Sequence, residues 1–178
     1  FPTYCFKRTL QFNPCESTDP TGATNFAMAV DMEKIRKVHW VPLESNPDML
    51  NDFARKVGLP PDFEFVDVFS TDPELLVMVP PERLAVTLLY QCSSNIRKFK
   101  EEQQKRIEAE GQKLSSDLVY LKQYVGNACG TIACLHSLGN SAQYMGISEE
   151  SPMGKFLTTI KGKSPQDAGL ALVDLSYL

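Results

Sequence analysis

Met49, Leu50, Phe53, Ala54 and Val57 recur at helical spacing, the stripe that an amphipathic helix turns toward a core. Ser45-Asn46-Pro47-Asp48 opens this helix, with proline at the first helical position and aspartate near the positive end of the dipole, and Gly58 closes it. The period changes to two over Phe63-Glu64-Phe65-Val66-Asp67-Val68, which predicts a half-buried strand whose end is either turn or strand. Asp72-Pro73-Glu74-Leu75-Leu76 predicts a short helix that Pro80-Pro81 closes. The continuous apolar run from Leu84 to Tyr90 predicts a fully buried central strand, the core of the sheet. From Ile96 to Gln112 the chain is dense in Lys, Arg, Glu and Gln, which predicts a solvent-facing helix or a mobile connector. Gly126-Asn127 marks a turn, and Gly130 through Leu138, with a cap-like Gly139-Asn140, predicts a buried helix.

Composition narrows this picture. A chain of 178 residues with 43% hydrophobic content is long enough for one substantial core, so a single folded domain is expected. Residues Phe1 to Asp31 hold three prolines, five threonines and little periodicity. They read as a poorly ordered extension over 1–31, with the folded domain over 32–178 beginning near Met32. No apolar run approaches the roughly 20 residues that span a bilayer, and the N-terminus lacks the order of a signal peptide, so no membrane partner is expected. A net charge of −4 argues against a sequence-independent grip on nucleic acid and suits a basic partner. Cys5, Cys15, Cys92, Cys129 and Cys134 are odd in number and form no CxxC pair. Neither a disulfide framework nor a metal site follows, and reduced thiols in a cytosolic or nuclear setting are expected, with no cofactor.

The candidate chemistry lies in Gln123-Tyr124-Val125-Gly126-Asn127-Ala128-Cys129-Gly130-Thr131. Cys129 would start the helix, where unpaired backbone N–H groups and the dipole favour an anion and hence the nucleophilic thiolate. Six residues earlier, Gln123 would aim an amide at the oxyanion formed when a thiolate attacks a carbonyl, and Gly130 would leave room for a substrate backbone. The bland alternative stands beside this: free cysteine is among the most buried residue types, and Cys129 also reads as an ordinary core residue, as Cys134 does more strongly. Of the two histidines, His136 lies seven residues on, about 10 Å along a helix, so it reads as a packing residue and not as a base. Nothing in the sequence argues for His39 in that role.

Together with Trp40-Val41-Pro42-Leu43-Glu44-Ser45-Asn46-Pro47, the stretch from Gln123 to His136 resembles a ubiquitin carboxyl-terminal hydrolase of the papain-like cysteine protease class. Phe65-Val66-Asp67-Val68, Asp72-Pro73-Glu74-Leu75-Leu76, Val79-Pro80 and the run ending at Tyr90 follow in the order of that family. The resemblance implies an α+β fold of α-β-α type, with helices packed on a central antiparallel sheet, acting as a monomer. It implies hydrolysis of ester, thioester, amide or peptide bonds at the C-terminal glycine of ubiquitin, with Cys129 as nucleophile and Gln123 as oxyanion donor. Glu44, Asp48 and Asp67 are the matched candidates for contacting the basic tail of ubiquitin or a ubiquitin-like modifier. The departure is that the family's general base opens a later strand in a His-Phe pair, with an aspartate beyond it, whereas no histidine follows His136. The resemblance thus implies an incomplete sheet, with Leu84 to Tyr90 losing neighbours, in either a portion of a longer enzyme or a truncated product. The rival expectation is a catalytically incomplete ubiquitin-binding fragment, and a third is an aggregation-prone fragment with no function of its own.

Overall fold

The computed structural model describes residues 3–4 and 38–174, so the expected boundary near Met32 lies outside the described residues. Strand β1 (Thr3–Tyr4) is followed by helix α1 (Pro47–Val57). Local signals set both ends of α1: the Asp48 N–H donates to Asn46 Oδ1 at 2.9 Å, and Gly58 adopts a left-handed φ of 119°. A residue with a Cβ is strained in that conformation. Leu50, Ala54 and Val57 are buried as the spacing requires, while Met49 faces solvent.

The expected strand over Phe63 to Val68 is realised only as β2 (Phe63–Glu64), which pairs in parallel with β1. Beyond it, Asn51 of α1 takes the place of a strand: the Phe65 N–H donates to Asn51 Oδ1 and Asn51 Nδ2 donates to Phe65 O at 2.9 Å. The short helix α2 (Pro73–Leu76) forms as predicted. The Arg83 guanidinium draws the following turn together by donating to the carbonyls of Leu76, Val79 and Pro80.

Leu84 to Tyr90 is a correction. Apart from a bridge at Val86, this run shows no regular pairing with the other described residues, and within it only Ala85 is buried, while Leu88 and Leu89 are 69% and 77% exposed. It is not a buried central strand. The solvent-facing helix does form, as α3 (Ser94–Glu110), capped by Ser93 Oγ accepting from the Ile96 N–H and with no buried residue along it.

Helix α4 (Cys129–Met145) is the hub. It is apolar on nearly all sides, with Ile132, Cys134, Leu135, Leu138 and Met145 buried, as befits a helix surrounded by others. Leu50, Ala54 and Val57 of α1 share one core with it, as do Met153, Phe156 and Ile160 of α5 (Pro152–Ile160) and Ala168 and Leu172 of α6 (Pro165–Asp174). Gly139-Asn140 does not cap α4, which runs on to Gly146 in the left-handed region at φ 66°. A side chain at 139 would crowd Val119 Cγ1 at 2.9 Å and Met153 Cε at 3.1 Å, so those neighbours would have to shift to admit one.

The architecture is therefore helices gathered around α4. The central antiparallel sheet expected for the fold class is not formed among the described residues, which show β1 paired with β2, a parallel bridge between His39 and Gly126 and the bridge at Val86. Extended segments here find helix side chains and helix-start carbonyls as partners in place of neighbouring strands.

Candidate active site at the start of helix α4

Cys129 is the first residue of α4, partly exposed, and the preceding Ala128 carries no side chain able to cap the helix. The turn before it is built from Asn127 at φ 61°, a conformation that asparagine tolerates better than most residues, and from Gly126. Gly126 is clamped to the chain around His39: the Trp40 N–H donates to Gly126 O and the Gly126 N–H donates to Val38 O, each at 3.0 Å. The His39 ring lies so close over Gly126 that a Cβ there would collide with it. Cys129 thus carries a partly exposed thiol on the first residue of a helix whose start has no side-chain cap.

Gly130 has a different role from the one expected. Its open face is filled by this same chain, because a Cβ would collide with Leu43 O and stand 3.0 Å from Leu43 Cβ. The missing side chain makes room for the segment 40–43 and not for a substrate.

Gln123 lies on the extended segment that enters the turn, and is partly buried. Its Nε2 donates to Val125 O at 3.0 Å, while Oε1 is buried without a hydrogen-bond partner among the described residues. A primary amide carries two N–H bonds, and the Val125 contact engages one of them.

His136 is 2% exposed and accepts the Leu121 N–H at Nε2, 2.8 Å away, with its ring stacked on Tyr120 at 5.2 Å. Burial lowers its pKa to about 4, so it is neutral at physiological pH with its lone pair already engaged. It is a packing residue, as its distance along the helix indicated. Sequence reasoning missed Asn140, one turn further on, which accepts the Val119 N–H at Oδ1 and donates from Nδ2 to Val119 O and His136 O. An amide four residues from a buried histidine on an apolar helix was the available signal.

Of the three carboxylates, Asp48 and Asp67 come together. Both line an open hollow of about 390 Å³ with Ser45, Asn46 and Pro47, and an adjoining apolar hollow of about 330 Å³ shares Pro47 and Asp67 with it. Glu44 is exposed and does not line either. Among the described residues, no three His, Cys, Asp or Glu side chains gather as metal ligands would, and no helix is long and apolar enough to cross a membrane.

The described residues thus hold a partly exposed cysteine at a helix start, an amide six residues upstream and, elsewhere on the surface, a hollow lined by two carboxylates. Residues 40–177 match the family model described as ubiquitin carboxyl-terminal hydrolase, family 1, and the chain belongs to that family. It is 37% identical over 152 residues to a probable ubiquitin carboxyl-terminal hydrolase of Dictyostelium discoideum, covering 85% of this chain and 60% of that protein. It is 41% identical over 142 residues to ubiquitin carboxyl-terminal hydrolase 3 of Arabidopsis thaliana, covering 79% and 59%, and 33% identical over 133 residues to a Drosophila melanogaster ubiquitin carboxyl-terminal hydrolase, covering 75% and 58%. The chain thus spans about three fifths of the length of these relatives.

Proposed function

We propose that this chain carries the nucleophile and oxyanion donor of a deubiquitinating thiol hydrolase. The thiolate of Cys129 attacks the carbonyl carbon at the C-terminal glycine of ubiquitin, and the carbonyl electron pair moves to oxygen, where Gln123 Nε2 donates to it. Collapse expels the amine, alcohol or thiol, which takes up a proton, and water then cleaves the thioester to release ubiquitin. Asp48 and Asp67, in one hollow, and Glu44 nearby in sequence would meet the basic tail of ubiquitin. The observation that carries this reading is the placement of a partly exposed Cys129 at the uncapped start of α4, at the end of the segment that bears Gln123. A ubiquitin derivative with a C-terminal vinyl electrophile should label the chain, and Cys129→Ala should abolish labelling. Equal labelling of the variant would refute the assignment.

A second reading, binding of ubiquitin without turnover, draws on His136. Its Nε2 is committed to Leu121 and its pKa lies at about 4, so it cannot serve as the base that general base catalysis needs near neutral pH. Calorimetric titration with ubiquitin alongside a fluorogenic ubiquitin-amide assay separates the two, since heat of binding with no released fluorophore selects the second.

A further inference from the structure

The segment 119–126 carries Gln123 into the turn before Cys129, yet its first three residues are held by side chains and not by a strand. The Val119 N–H donates to Asn140 Oδ1 at 3.0 Å, Asn140 Nδ2 donates back to Val119 O at 2.9 Å, and the Leu121 N–H donates to His136 Nε2 at 2.8 Å. The spacing explains why this works. Four residues of helix rise about 6 Å and two residues of extended chain advance about 6.6 Å, so His136 and Asn140 meet Leu121 and Val119 in register. Asn140 Nδ2 also donates to His136 O at 2.8 Å, tying the two rungs together. The segment is fixed again when the Lys122 N–H donates to Pro165 O at 2.9 Å, and where Gly126 pairs with Val38 and Trp40. Gln123 sits between these fixed points.

His136 has a second telling feature. Because Nε2 accepts a hydrogen bond, the ring proton resides on Nδ1, which is buried and has no partner among the described residues. A buried donor left unmet is costly, so an apolar side chain would serve better if filling space were the whole task. What the imidazole adds is the acceptor for Leu121.

We propose that His136 and Asn140 are positioning residues, a side-chain ladder along α4 that sets the Gln123 amide at the height of the carbonyl oxygen attacked by Cys129. The proposal rests on the reading of Cys129 as nucleophile and Gln123 as oxyanion donor. Loosening the ladder displaces the amide and leaves the thiol at the helix start where it was.

Two reagents tell these apart. Ubiquitin with a C-terminal aldehyde forms a hemithioacetal in which the thiolate adds to the carbonyl carbon and the oxygen becomes the oxyanion. Iodoacetamide alkylates the thiolate with loss of iodide, and no oxyanion forms. In His136→Leu, affinity for the aldehyde should fall about tenfold while the alkylation rate stays within about twofold of wild type, a fraction of the loss seen when an oxyanion donor is removed outright. His136→Gln, whose side-chain oxygen replaces the Nε2 acceptor, should recover most of that affinity. Adding His136→Leu to Gln123→Ala should weaken the aldehyde no further, because a residue that acts through Gln123 has nothing left to position. If His136→Leu does not fold, Asn140→Ser carries the same cycle. Parallel loss of both reactions, or additive losses in the double variant, would overturn the ladder while leaving the nucleophile intact. A wild-type chain that forms no aldehyde adduct overturns the underlying reading as well.

Discussion

A neutral histidine in the core links stability to pH. The pKa of His136 is about 4 when folded against an ordinary 6.5, so between these values the unfolded chain binds more protons than the folded one. Stability is therefore fully present above about pH 6.5 and is lost as pH falls toward 4, by an amount on the order of 3 kcal/mol at 1.36 kcal/mol per unit. Urea midpoints measured from pH 7 to pH 4 should show this slope, and His136→Leu should flatten it. Gly130 makes a steric prediction of the same scale. Gly130→Ala drives a methyl group into Leu43 O, which should cost about 1–3 kcal/mol by overpacking, read from the same denaturation curves. Both residues were visible in the sequence, yet their tasks were not equally so. Cys129 and Gln123 stand out by spacing from a helix start, whereas the purpose of Gly130 depends on Leu43, which lies 87 positions earlier.

At the scale of elements, helices matched their local signals closely and strands did not. Asn46, Pro47 and Gly58 bracket α1, and Ser93 caps α3, because capping is a matter of residues within a turn of one another. Extended segments carry no such internal accounting, and their N–H and C=O groups must find partners elsewhere in the chain. Here two helix asparagines supply them: Asn51 pairs with both backbone groups of Phe65, and Asn140 with both of Val119. Read from sequence, Gly139-Asn140 resembles a helix end because both residues are common there; tertiary packing against Val119 and Met153 overrides that local preference. Replacing Asn51 by alanine leaves two partly buried backbone groups of Phe65 unmet and should destabilise the fold by about 2 kcal/mol in chemical denaturation, with Asn51→Asp less damaging because it keeps the acceptor.

For the whole molecule, the apolar surface around Val86, Leu88 and Leu89 has the largest consequence. An exposed apolar run invites association, and single lysines are an effective block. Leu88→Lys together with Leu89→Lys should reduce concentration-dependent self-association in sedimentation velocity, while stability changes by less than about 0.5 kcal/mol because neither side chain is buried. The same surface explains why the apolar run does not become the buried strand that its pattern predicts. Continuous hydrophobicity signals a strand buried on both faces only when something covers those faces, and a one-dimensional pattern does not contain the cover.

The sequence by itself determined α1 with both its caps, the presence of α2, the solvent-facing character of α3, the family to which the chain belongs and the position of a cysteine at a helix start, because each rests on residues close together in the chain or on their order. Tertiary structure alone decided which extended segments found partners, that Gly130 and Gly126 admit Leu43 and His39, and that the His136 ring accepts from Leu121. Those outcomes depend on approaches of a few ångströms between distant residues, where packing and hydrogen-bond satisfaction, and not periodicity, select the arrangement.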